Sequence, residues 1–261
     1  MWKNIPNEEY HSEYRNYLSS SDLRRLLRSP AHYRAPSAPS TPAQEFGTLA
    51  HECVLEPDLW KASSRPSPKI DRRTKEGKAL AEWQQAQEAQ HGIKYVSEDL
   101  YYQVEALAGS VHSSVGSSGF LTSGVAELSG FTTINDTNIR VRPDYLKDDV
   151  IVDLKTTTSD ARMESFTRSV FAFGYDVQAA LYVDAAKAID GKQRRFVWIV
   201  VEKEAPYGVC IYEASQEVLA RGRKLYNQAI ETYAQCSAFD VWPTYSTAIQ
   251  TFNIPRYLEI L

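Results

Sequence analysis

The segment RPDYLKDDVIVDLKTTTS, residues 142–159, places two carboxylates and a lysine in a mostly apolar run. With a two-residue strand period, Val150, Val152 and Leu154 point one way, and Ile151, Asp153, Lys155 and Thr157 the other. Asp153 and Lys155 then share a face, with Cα atoms about 7 Å apart. A buried charge without a partner is costly, so a metal ion, a salt bridge or plain exposure must account for them. If 138–145 and 150–157 pair as a hairpin, Asp144 approaches Asp153. Two close carboxylates repel unless a cation sits between them, and Mg²⁺ or Mn²⁺ suits oxygen ligands.

Working outward, two further strands are expected at 125–134 and 138–145, with NDTN turning between them and LKDD leading into 150–157. Helices over 160–173 and 176–190 follow, divided by Gly174 and ended by Gly191. Strands at 195–203 and 207–213 and a helix from Ser215 to Tyr233 complete this part. Upstream, helical spacing predicts 19–28 (capped by Ser20 or Ser21 and ended by Pro30), 45–56 (ended by Pro57), 74–91 and 97–112 (capped by Ser97). Residues 35–44, 64–73 and 115–119 read as loops. The order describes an α/β or α+β sheet with helices on both faces. One domain is expected over 1–261: a mainly helical part to 115, an αβ core over 116–236, and an aromatic tail, 237–261, packed on the body.

Of 261 residues, 43% are hydrophobic and 24% charged, as in ordinary globular chains. No apolar run reaches the length of a membrane span. The polar start lacks the layout of a signal peptide, so a cytoplasmic protein is expected. Cys53, Cys210 and Cys236 form no C-x-x-C pair and read as buried, reduced thiols. The net charge of −4 is unevenly spread: residues 15–78 carry twelve Lys/Arg against seven Asp/Glu, the remainder seventeen against twenty-six. The basic clusters 24–34 and 69–78 fit either a localised anion site or a solvated face.

The RPD of 142–144 followed by the DLK of 153–155 resembles the PD-(D/E)XK nuclease signature. Gly47 and His51 in FGTLAHECVLEP resemble the G-x-x-x-H element of its RecB-like branch, and Gln178 and Tyr182 in YDVQAALYVDA its Q-x-x-x-Y helix. All occur in the order that branch uses. With the opening YLSSSDLRRLLRSPAHY and the tail WPTYS, residues 10–255 are similar to the nuclease domain family of exodeoxyribonuclease VIII (RecE). The long N-terminal region of some members is absent, which implies a free-standing nuclease.

The resemblance implies a restriction-endonuclease-like α/β core, a central mixed sheet flanked by helices, with a helical N-terminal elaboration. It implies His51, Asp144, Asp153, the Leu154 carbonyl and Glu127 as ligands of Mg²⁺ (or Mn²⁺), two ions per site. Lys155 would position and help deprotonate the attacking water. Gln178 and Tyr182 would hold the DNA backbone or brace Lys155, Tyr182 being equally readable as core. Arg24, Arg25, Arg28, Arg140 and Arg142 would meet DNA phosphates, unless they are solvated surface. The implied activity is 5′→3′ exonucleolytic digestion of one strand from duplex ends, leaving 3′ tails for recombination. A ring-like homotetramer and a RecT-like annealing partner are implied with it. A restriction-type endonuclease, a non-catalytic DNA-binding scaffold and a structural salt-bridge cluster are the competing readings.

Overall fold

The computed structural model describes residues 1–36 and 38–254. Strand β1 (Trp2–Lys3) and helix α1 (Asn7–Ser12) precede α2 (Ser20–Arg28). Ser19, one residue before the serines expected to cap α2, does so because Asp22 completes a reciprocal box: each side chain accepts the other's backbone N–H, at 3.2 and 2.9 Å. The helices expected to stop before Pro30 and Pro57 do so, at Arg28 and Leu55, and each proline also opens the next helix, α3 (Pro30–Arg34) and α5 (Pro57–Ser63). At a first helical position the missing N–H is no loss. Between them α4 (Pro42–Leu55) starts earlier than expected behind a Thr41–Gln44 capping box. The connector therefore shrinks to 35–41, of which Ser37 lies outside the described residues.

Part of the expected loop 64–73 is a strand: β2 (Ser64–Ser67) pairs in parallel with β3 (Lys94–Ser97) across α6 (Lys75–His91). In α7 (Glu98–Ser113), Ser97 makes no side-chain capping bond, and the expected loop at 115 is the short α8 (Val115–Phe120).

Two expected strands divide. The first becomes β4 (Val125–Ala126) and β5 (Ser129–Ile134), broken where Glu127 takes a left-handed φ of 52°. The second becomes β6 (Thr137–Val141) and β7 (Tyr145–Leu146), broken at Pro143, which has no N–H to give a ladder. β5 and β6 turn through Asn135 and Asp136, both at positive φ as a two-residue hairpin of the I′ kind requires. They form a three-stranded sheet, β1-β5-β6, apart from the main one. The expected hairpin with 150–157 is therefore only the β7 dipeptide against β8 (Val150–Thr157), Tyr145 facing Val152.

α9 (Met163–Phe173) and α10 (Tyr175–Asp190) carry the chain across to β9 (Arg195–Glu202), parallel to β8. β10 (Val209–Glu213) and α11 (Gln216–Phe239) follow, α11 running six residues past its expected end. The main sheet has the order β10-β9-β8-β7-β4, mixed in direction. Its two faces separate the core by residue parity. Ile151, Phe196, Trp198 and Val200 meet α2, α10 and α11, whereas Val150, Val152, Leu154, Val197, Ile199 and Val201 meet α4 and α7. This is the restriction-endonuclease-like α/β core with helices on both faces and a helical N-terminal part.

In the tail, Trp242 packs between Tyr33 and Tyr233, and the Pro243 carbonyl accepts the Ala31 N–H at 3.1 Å. Ile249, Phe252 and Ile254 are exposed, against the expectation of a packed tail, and residues 255–261 of that expectation lie outside the described residues. The three thiols are unpaired. Cys53 and Cys236 are buried and Cys210 half-buried, and burial pushes Cys53 up to about 12. Among the described residues no helix is long and apolar enough to cross a membrane.

Ile151 is fully buried on the central strand, whereas Thr133 is exposed on the small sheet. Ile151→Ala is expected to lower unfolding free energy by about 2–5 kcal/mol and Thr133→Ala by no more than about 0.5 kcal/mol. Denaturant midpoints at constant m-value check the contrast.

Candidate metal centre and active-site cleft

Asp144 sits in the one-residue gap between Pro143 and β7, where the chain leaves the small sheet and joins the large one. Its Oδ2 accepts the Leu154 N–H at 2.7 Å and lies 3.4 Å from His51 Nδ1. The Asp144 carbonyl accepts the N–H of Glu127 at 3.1 Å, which fixes the kink between β4 and β5. Glu127 thus keeps a left-handed backbone that costs a residue with a Cβ about 1–3 kcal/mol.

One ligand atom each of His51, Glu127 and Asp144 lies within 4.8 Å of the others. Among the described residues they are the only such trio of metal-ligating side chains. Burial raises Glu127 to about 7, and the Asp144 charge adds to the rise while His51 and Arg142 oppose it. An imidazole and two crowded carboxylates, one resisting ionisation, are a donor set that a divalent cation would satisfy. The N–H and C=O of one strand residue leave on the same edge, so the Leu154 carbonyl also faces the edge that Asp144 caps.

Asp153 lies on the other face of β8, with no exposed surface. Gln178 Nε2 donates to its Oδ1 at 2.8 Å, Lys155 Nζ approaches Oδ2 at 2.6 Å, and the same ammonium donates to Gln178 Oε1 at 3.2 Å. Burial drives Asp153 up to about 6; Lys155 pulls it back and Asp144 pushes it further. For Lys155, burial alone would favour the neutral amine, but the Asp153 and Asp144 carboxylates outweigh it and keep an ammonium. The arrangement suits electrostatic stabilisation and orientation of water better than proton removal by Lys155. Asp153, expected as a ligand, turns both oxygens to Lys155 and Gln178 and is not one of the trio.

Gln178 braces both members of the pair, while Tyr182, one turn on, is buried edge-on to Phe196, with little surface to offer DNA. Arg140 and Arg142 also depart from expectation. Both guanidinium groups lie over the Tyr10 ring, at 5.0 and 5.4 Å. Arg140 is buried and donates to the Tyr10 carbonyl, so it cannot meet a phosphate. Arg142 donates to Glu127 at 3.0 Å and to the Ile5 carbonyl at 3.2 Å. Arg24, Arg25 and Arg28 lie on α2: Arg24 donates to the Phe173 carbonyl at 2.8 Å, Arg25 to the His32 carbonyl at 2.9 Å, and Arg28 to Tyr245 at 3.2 Å.

Two clefts meet at His51. One, of about 660 Å³, is lined by Lys155, Tyr175, Thr156, Arg24 and Lys203; the other, of about 550 Å³, by Glu127, Arg142 and Gly47. A Cβ on Gly47 would meet only Thr156 Oγ1, at 3.9 Å, so packing alone does not demand a glycine there. Tyr175 and Lys203 escaped sequence reasoning. Tyr175 places its ring 4.6 Å from Lys155 Nζ, and its spacing of three from Gln178 on one helix was a usable signal. Lys203 had none: it reaches the cleft because its N–H bonds to Thr157 past the end of β9, and burial lowers its pKa.

The sequence matches the family described as PDDEXK-like domain of unknown function (DUF3799) over residues 19–254. No curated protein matches it significantly. The structure of a proposed exonuclease from Eubacterium rectale is similar, with a TM-score of 0.66 at 14% identity over 97% of each chain. A phage-related exonuclease from Haemophilus somnus gives 0.32 at 12% identity over 86% of this chain and 96% of that one. An alkaline exonuclease from Laribacter hongkongensis gives 0.34 at 13% identity over 90% and 96%.

Glu127 and Asp153 titrate near 7 and 6 in the folded chain, above ordinary unfolded values of about 4.3 and 3.9. Between those limits the folded state holds the extra protons. Their contribution to stability is therefore complete below about pH 4 and lost as pH rises through the folded values. Without divalent ions, Tm should fall between pH 5 and pH 8. Added Mn²⁺ should raise Tm more at pH 8, and Glu127→Gln should flatten both effects. Thermal scans of the two proteins over that range, with and without Mn²⁺, check this.

Proposed function

Because this chain belongs to the PDDEXK-like domain family, we propose that it is a metal-dependent nuclease that hydrolyses DNA phosphodiester bonds. The observation that carries the reading is the pairing of two differently built acidic sites along one strand. The His51, Glu127 and Asp144 trio lies at the β7 edge, where Glu127 lines one cleft; Lys155, braced by Asp153, lines the other, and the two clefts meet at His51. A non-catalytic scaffold has no need of a strained, desolvated glutamate or of a buried aspartate beside an ammonium.

His51, Glu127, Asp144 and the Leu154 carbonyl would hold Mg²⁺ or Mn²⁺, which when bound supplies Lewis acidity and charge neutralisation at the scissile phosphate. Lys155, kept charged by its carboxylates, would meet a non-bridging phosphate oxygen and orient the attacking water. Asp153 and Gln178 would fix that ammonium on the cleft side of β8, and Tyr175 would cover its other flank. Arg142 would hold Glu127 in its strained position. The trio accounts for one ion; the second implied ion would need Asp153 to turn from Lys155.

The resemblance to the RecE nuclease family supports the finer form: an exonuclease acting 5′→3′ from duplex ends and leaving 3′ tails for recombination. It extends to a ring tetramer working with an annealing protein in the cytoplasm. The name of the Eubacterium rectale structure, a proposed exonuclease, is in keeping with it.

Linear duplex labelled separately at each 5′ and 3′ end, incubated with Mg²⁺ or Mn²⁺ and then with EDTA, tests activity and direction together. Early release of the 5′ label as a mononucleotide, stopped by EDTA, is expected. Cutting of closed circular DNA would favour the endonuclease reading, and tight binding without release would sink the enzyme. Lys155→Ala should lose about 10²–10³-fold in rate, as for other charge-stabilising groups. Asp153→Asn should be inactive with its far-UV circular dichroism intact; retained activity would remove Asp153 from the mechanism.

A further inference from the structure

Beyond the catalytic cleft, a groove of about 360 Å³ runs between α2, the α9–α10 junction and α11. Its charge runs against that of the chain, which is −4 overall. Arg24, Arg28 and Arg221 line it beside one carboxylate, Asp176, which is buried and ion-paired to Arg221. Among the described residues neither Arg24 nor Arg28 has an acidic partner; their guanidinium groups bond to carbonyl and hydroxyl oxygens.

The same wall carries aromatic surface that the core does not use. Phe171 and Phe173, at the end of α9, are 44% and 58% exposed. The Arg221 guanidinium lies 4.8 Å from the Phe171 ring centre, and the Phe173 carbonyl holds Arg24. Arg24 and Phe173 line both this groove and the catalytic cleft, so the two adjoin.

Exposed rings interleaved with arginines recognise unpaired bases, whose faces stack while their phosphates meet the cations. The volume is that of a small-ligand pocket, right for a nucleotide or two. We propose that the groove binds a single-stranded stretch of nucleic acid running on from the cleft, bases on Phe171 and Phe173 and phosphates toward the arginines. The proposal rests on the nuclease reading for its direction of travel, but the binding itself is measurable without catalysis.

Fluorescence anisotropy of a labelled oligothymidylate, in EDTA so that no hydrolysis intervenes, reads the groove alone. Phe171→Ala should weaken binding about 10-fold, and Phe171→Tyr, which keeps a stacking face, should bind like the parent protein. Arg28→Gln should weaken binding and reduce the slope of log affinity against log salt by about 1. Phe171-dependent binding by a protein that hydrolyses no duplex would support the groove and defeat the nuclease reading. Hydrolysis of duplex ends with oligothymidylate binding unchanged in Phe171→Ala would do the reverse. No binding by the parent protein, or equal losses in the Ala and Tyr variants, would overturn the groove.

Discussion

The hydrogen bond from the Leu154 N–H to Asp144 joins two sheets and two chemistries. Asp144 leaves the small sheet at Pro143, and β7 offers only two residues of pairing to hold it against β8. The carboxylate supplies the next bond where the ladder stops. That bond directs Asp144 to the strand edge where His51 arrives from α4 and Glu127 from the β4–β5 kink. Without it, the acidic trio would have no common point.

The site is electrostatically unfinished as the chain alone presents it. Protein interiors accept charge when it is paired and hydrogen-bonded. Asp153 meets that condition through Lys155 and Gln178. Glu127 meets it only in part: Arg142 bonds one oxygen, yet burial and Asp144 still push it toward the neutral acid. The contrast separates the groups by task. The Asp153–Lys155–Gln178 cluster holds a positive charge in place, whereas Arg142 offsets the carboxylates of the trio only in part.

The basic residues sort by position in the fold. Arg140, on β6, and Arg142, just past its end, both turn inward onto Tyr10 of the N-terminal segment. Their cost of burial is met by cation–π contact and by carbonyls from residues more than a hundred positions away. The α2 arginines are placed differently: Arg28 is exposed, Arg24 and Arg25 half-buried, and all three bond to carbonyl or hydroxyl oxygens.

The sequence by itself determined the strand alternation of 150–157, the pair of helices that follows it, and the order of the elements bearing Gly47, His51, Asp144, Asp153, Lys155 and Gln178. Those features are local: a period of two sets a strand's faces, and helical spacing sets which side chains share a stripe. Only the tertiary structure decided that Glu127 sits at a left-handed kink, that Pro143 sends β6 and β7 to different sheets, and that Pro30 and Pro57 begin helices. It also brought Tyr175 and Lys203 to the cleft and hid Arg140 and Tyr182. The reason is physical: whether a proline that ends one helix also opens the next, and whether a charged side chain faces water or core, depends on what packs against it from distant parts of the chain.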